Sequence, residues 1–275
     1  MDRTEQRTRA LEDQIVDVTP GREVGTPIRV EPWPRWVRAY FNNQAVVDSK
    51  RVMLMLEPAR LPVFYFPRQD VRMDLLKASG RTEDSPRKGQ ATLFDLTVGE
   101  RTAKDAAWSY ERPPEEIAAA TGHVAFYWDR LDRWLEEDDE VFVHPRNPYH
   151  RVDVLNSSRH VRIELGGVTV AETRRPRLLF ETGLPTRYYF PKVDVRMDLL
   201  EPTELRTRCP YKGQAVYWTA TVEGQLYPDI AWSYPSPIPE CPKIEGLLCF
   251  FNERVDISVD GELQDKPKTF WSSWG

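Results

Sequence analysis

Cys209 and Lys212 stand three residues apart in Cys209-Pro210-Tyr211-Lys212-Gly213. A cation that close to a thiol lowers its pKa and favours the thiolate, the form that attacks electrophiles. Cys209 and Lys212 are therefore the candidate catalytic residues. The same five residues also make a tight turn, with Pro210 fixing φ and Gly213 accepting a positive φ. No general base adjoins them in sequence, so the turn is the plainer reading. Lys212 is the more telling residue, because a lysine beside a glycine turn suits a phosphate or carboxylate.

Other residues extend a candidate ligand site. Arg196 is central in Asp194-Val195-Arg196-Met197-Asp198. Read as a strand, this places three charged side chains on one face. Such a face is either an anion clamp or a self-neutralising solvated surface. Trp232 and Tyr234 alternate with Ala231 and Ser233, giving a core strip or a wall that stacks a flat ligand. Glu181 follows an apolar run and reads as a general base or an arginine's partner. Tyr189 precedes Phe190-Pro191 and joins the same set. The expectation is a small anionic or aromatic ligand bound by Arg196, Lys212, Trp232, Tyr234, Tyr189 and Glu181. An enzyme using Cys209 or Lys212 and a non-catalytic scaffold remain as alternatives.

Several chemistries find no support. Glu136-Glu137-Asp138-Asp139-Glu140 is acidic but lacks the spacing and turn glycine of a calcium loop. The three cysteines form no CxxC pair and only four histidines are present, so no metal site is expected. GxGxxG, P-loop, GxSxG and HExxH motifs are missing, and the cofactor is left unknown. A formal net charge of −5 with both signs interspersed argues against a nucleic-acid partner. No apolar run is long enough to span a membrane and the N-terminus reads Met-Asp-Arg-Thr-Glu, so a soluble, cytoplasmic protein is expected. An odd number of cysteines without a disulfide pattern fits a reducing compartment.

The elements that must position these residues come in two copies. At an offset of 124 positions, Asp70-Val71-Arg72-Met73-Asp74-Leu75-Leu76 recurs as Asp194–Leu200. Tyr65-Phe66-Pro67, Lys88-Gly89-Gln90-Ala91 and Ala107-Trp108-Ser109-Tyr110 recur at the same offset, and Glu57 matches Glu181. Module one is expected over 35–143 and module two over 158–265, joined by a linker at 144–157 and packed on one another. Residues 1–34 read as an extended or disordered arm. The apolar tail, 266–275, reads as a segment that docks on the body or on a partner.

The periodicity within a module is two, that of strands. Val161, Ile163 and Leu165 alternate with Arg162 and Glu164, and Gly166-Gly167 follows as a hairpin turn, matched by Asn42-Asn43. Val71–Leu75 and its copy read as further strands. Val216, Trp218, Ala220 and Val222 share one face, which marks Trp218 as core. Only Pro114–Ala120 hints at a helix. With 23 prolines in 275 residues, about seven or eight short strands per module imply a mainly β chain. The fold class is two tandem copies of a compact β-sandwich or barrel-like domain with few short helices.

Cys209-Pro210-Tyr211-Lys212-Gly213, Ala231-Trp232-Ser233-Tyr234 and Asp194-Val195-Arg196 together resemble the signature of the domain of unknown function 427 family. The resemblance covers both modules and runs through His144-Pro145-Arg146 and Arg151-Val152-Asp153-Val154. It implies a small mainly β domain. The family also carries a nucleotidyltransferase-like label. That chemistry generally wants paired aspartates two residues apart, whereas Asp194 and Asp198 on a strand lie about 13 Å apart at roughly 3.3 Å per residue. Module one departs from the pattern: Ser85-Pro86-Arg87-Lys88-Gly89 has no cysteine, so its site reads as degenerate.

Overall fold

The structure, a computed structural model, describes residues 26–273. The chain divides into two compact units that part between Asn147 and Pro148. The first contains β1 (Arg29–Trp33), β2 (Val37–Phe41), β3 (Gln44–Ser49), β4 (Val52–Leu56), β5 (Val63–Pro67), β6 (Leu76–Ser85), β7 (Gly89–Val98), β8 (Arg101–Tyr110), β9 (His123–Phe126), β10 (Arg133–Glu136) and β11 (Asp139–Val141). The second repeats the series as β12 (Val152–Asn156), β13 (Val161–Leu165), β14 (Val168–Thr173), β15 (Arg177–Glu181), β16 (Arg187–Phe190), β17 (Leu200–Cys209), β18 (Gly213–Val222), β19 (Gln225–Ser233), β20 (Leu248–Phe250), β21 (Asp256–Val259) and β22 (Glu262–Leu263).

Each unit holds a seven-stranded and a four-stranded antiparallel sheet. The orders are β1-β4-β5-β9-β8-β7-β6 with β11-β10-β2-β3, and β12-β15-β16-β20-β19-β18-β17 with β14-β13-β21-β22. The sequence repeat is thus a repeat of strand order. The hairpins at Asn42-Asn43 (φ 49° and 60°) and Gly166-Gly167 (φ 57° and 82°) are left-handed at both central residues, as expected.

Four sequence expectations need correction. First, β1 lies inside the expected arm, and β12 inside the expected linker. Pro32 is tolerated in β1 because an edge strand needs only one ladder; residues 1–25 lie outside the described residues. His144, Pro145 and Asn147 of the linker are buried. Second, eleven strands per module replace the expected seven or eight. Third, Asp194–Leu199 is not a strand. Lys192–Asp194 and Met197–Leu199 are single 3-10 turns, as are Arg68–Asp70 and Met73–Leu75. Two short turns in succession mimic period-two alternation, with only Val195 bridging to Ala171 in a sheet-like way. Fourth, the helix hinted at over Pro114–Ala120 is a 3-10 segment, Glu115–Ala120, broken at Ile117.

In module two the four-stranded sheet covers one face of the seven-stranded sheet. Val161, Ile163 and Ile257 meet Phe190, Trp218 and Phe250 there, so Trp218 is core as predicted. The other face gathers a second cluster: Leu179 of β15, Tyr189 of β16, Leu205 of β17, Tyr217 of β18 and Trp232 of β19, with Val152 and Val154 of β12 packed against it. Strands β12 and β17 are opposite edges of the sheet. Side chains from both edges share one cluster, so the sheet curls round it while staying open between β12 and β17.

Candidate functional site

The curl brings Lys212 to Glu181. Lys212 sits in the β17–β18 hairpin, where its N–H bonds Cys209 O at 3.3 Å. Glu181 ends β15. On a flat sheet, β15 and β18 would be about 19 Å apart at roughly 4.8 Å per strand. Instead Lys212 Nζ donates to Glu181 Oε1 at 2.5 Å. The pair closes the mouth of the curled sheet, with side chains 11% and 5% exposed. Gly213 is what the turn requires: its φ is 107°, and a Cβ would lie 3.2 Å from Ser236 O.

His150 completes the cluster. Its Nε2 lies 3.1 Å from the same Glu181 Oε1, and its ring stacks on Tyr211 with centroids 4.2 Å apart. Thr182 N–H donates to Arg151 O and Arg151 N–H to Thr182 Oγ1, which hold the two segments together. Burial would raise the Glu181 carboxyl, but Lys212 and the His150 hydrogen bond more than offset it, leaving a pKa of about 2. Burial would lower Lys212, yet Cys209 and Glu181 beside it win, and its pKa rises above the ordinary value. A buried carboxylate and ammonium are therefore both charged at neutral pH.

Cys209 is the opposite of a poised nucleophile. Burial raises its thiol, Lys212 opposes the rise, and the rise prevails. Removal of the sulfur from water outweighs the attraction of the neighbouring ammonium. Cys241 lies in the same cluster, its thiol pushed up to about 11 by burial. Trp232, Tyr234 and Tyr189 are buried together, with Trp232 Nε1 donating to Tyr189 Oη at 3.2 Å. Burial holds both tyrosine hydroxyls well above their usual pKa.

Of the sequence-predicted set, the structure brings Glu181, Tyr189, Cys209, Lys212, Trp232 and Tyr234 into one neighbourhood. Arg196 is not with them. Its exposed guanidinium is engaged by Asp198 at 2.6 Å, while Asp194 is held by Arg175. The shared charged face expected of the Asp-x-Arg-x-Asp segment is therefore absent, because the turns aim each charge separately. A recess of about 470 Å³ lies elsewhere, lined by His160, Glu172, Thr173, Arg174, Arg175 and Asp194. Among the described residues, no three His, Cys, Asp or Glu side chains come together to hold a metal.

Sequence reasoning missed His150, which it read as linker, and Cys241. It also missed a buried ion pair between Arg187 and Glu253 at 2.8 Å. Nothing local marks these residues, since their partners are 31 to 66 positions away. Module one keeps the central pair as Lys88 to Glu57. There Ser85 stands for Cys209, Arg87 for Tyr211 and Thr26 for His150. Arg87 bonds Thr26 O and Glu116 in place of the stacked rings.

Comparison with known families matches one profile twice, over residues 29–137 and 153–261; the family is described as a domain of unknown function (DUF427). No curated protein matches the chain. Both matches begin at the first strand of a module and end in its last sheet, so the repeat, the strand order and the family boundaries coincide. The chain belongs to the DUF427 family and carries its domain in two tandem copies.

Proposed function

We propose that module two binds a small ligand at the mouth of its curled sheet, where His150 and Tyr211 form a planar rim above the Lys212–Glu181 pair. The ligand class is a small anion bearing a flat ring, met by Lys212 and His150 as donors and by stacked aromatic surface. One observation carries the reading: Glu181 Oε1 accepts from Lys212 and contacts His150, with all three side chains largely shielded from solvent. Buried ion pairs are a poor means of stabilising a fold compared with apolar packing. They are a common means of presenting shifted pKa values at functional sites. The Lys–Glu pair occurs in both modules, so it serves the architecture of each and in module two also supplies Lys212 as a donor. His150, Tyr211 and Cys209 belong to module two alone and are assigned to recognition. A protonated Cys209 thiol favours binding over covalent catalysis. The reading includes a reducing, cytoplasmic setting, which the three free thiols support.

The test is native mass spectrometry of the full-length protein, followed by thermal shifts with inorganic phosphate, small carboxylates, benzoate and nucleoside monophosphates. A carried mass, or a melting shift lost in both His150→Gln and Lys212→Met, supports the site. A bare polypeptide mass with no shift from any compound makes the cluster a purely structural staple. An alkylation rate at Cys209 well above that of free cysteine would move the assignment to thiol chemistry.

A further inference from the structure

Arg187 and Glu253 form a second buried charge pair, and it is peculiar to module two. Val63 and Asp129 occupy the matching positions of module one. Arg187 donates to both oxygens of Glu253 at 2.8 Å and to Asn252 Oδ1 at 3.2 Å. The Arg187 and Glu253 side chains are 6% and 0% exposed. Two indoles flank the guanidinium, Trp232 at 5.5 Å and Trp271 at 5.2 Å.

Trp271 comes from the C-terminal segment. Thr269 Oγ1 donates to Glu253 Oε1 at 2.5 Å, and Trp271 packs on the second cluster. The segment holds itself in shape: Thr269 N–H bonds Ser272 Oγ at 2.9 Å, and Ser272 N–H bonds Thr269 O at 3.1 Å. The stretch that tethers it is exposed. Residues 264–268 have no regular structure and are mostly exposed. Lys266 pairs there with Asp256, and both side chains are nearly half exposed. A self-contained knob on an exposed tether is the kind of element that opens locally without global unfolding. In module one, the matching Val143, His144, Pro145 and Asn147 are buried instead.

We propose that Thr269–Ser273 is a strap that closes the aromatic face of module two and that its release admits ligand to that face. Beneath it, Trp232 donates to Tyr189, whose hydroxyl lies among the groups acting on Lys212. The strap therefore covers one end of the cluster whose other end is the Lys212–Glu181 mouth. This regulatory role rests on the proposed ligand site, but the strap itself has a built-in reporter. Cys249 is fully buried in the same cluster, and Arg187 and Glu253 are the charges acting on its thiol. Cys241 lies in the part of the cluster that neighbours Lys212 and Glu181.

The experiment is native-state labelling with iodoacetamide, mapped by peptide mass spectrometry, with no ligand present. It compares the full chain, a chain ending at Lys268, and full-length Trp271→Ala. The expected result is a rise of tenfold or more in Cys249 labelling in the truncated chain and a smaller rise in Trp271→Ala, with Cys241 within about twofold. An unchanged Cys249 rate overturns the proposal, because the segment then covers nothing. A joint rise of Cys209, Cys241 and Cys249 also overturns it, because the segment is then part of the module's cooperative fold. Labelling that behaves as expected alongside a failed ligand screen would sink the ligand site and leave the strap standing. Ligand binding with an unchanged Cys249 rate would do the reverse.

Discussion

Replacing Lys212 with methionine keeps most of the length of the side chain and removes its charge. Glu181 is then left buried, with its side chain 5% exposed and His150 as its remaining polar contact. Breaking a buried pair from one side costs about 3–5 kcal/mol, because the survivor's charge stays desolvated. The carboxyl can escape by taking a proton, which limits the loss. Starting from the ordinary value of 4.5, holding it protonated at pH 7 costs about 3.5 kcal/mol at roughly 1.4 kcal/mol per pH unit. Lys212→Met should therefore lose about 3.5 kcal/mol at pH 7 and progressively less as the pH falls towards 5. Lys212→Met combined with Glu181→Leu should recover most of that loss, since no charge is then left unpaired. The two modules need not unfold together, so the assay is urea-dependent hydrogen exchange read on peptides from β15 and β18. A deficit below about 1 kcal/mol, or a double variant no better than the single one, would refute the claim that this pair is desolvated and closes the sheet.

Three further outcomes follow from the same structure. Glu181 has a depressed pKa, so its stabilisation is fully present above the ordinary carboxylate value and is lost as the pH falls from about 5 towards 2; Glu181→Gln should flatten that part of module two's acid-denaturation curve, followed by tryptophan fluorescence. Trp218→Ala should cost about 3–5 kcal/mol in denaturant melts, because Trp218 is buried between the two sheets, and a loss below about 1 kcal/mol would remove it from the core. Arg196→Ala should change stability by no more than about 0.5 kcal/mol and leave ligand binding intact, since its pair with Asp198 is solvent-exposed; a loss of binding would return Arg196 to the site.

Sequence alone determined the parts of this protein that depend on local periodicity. The offset of 124 positions, the hairpin at Gly166-Gly167 and the inward face of Trp218 are carried by neighbouring residues. The structure repeats them in strand order and core. The Cys209–Gly213 turn was also legible, because Pro210 and Gly213 restrict φ whatever surrounds them. Alternation misled at Asp194–Leu199, where two 3-10 turns satisfy the same pattern over a few residues. Proline misled at β1, where a missing N–H is harmless on an edge.

What only the tertiary structure decided is the curl of the seven-stranded sheet. It sets Lys212 against Glu181, 31 positions away, and sets His150 against the same oxygen. It also decided that desolvation outweighs the neighbouring lysine at Cys209, which turns an apparent thiolate motif into a protonated thiol. Such contacts depend on how far a sheet bends round its core. That bend is the summed outcome of packing across many strands, and no residue or spacing within one strand encodes it.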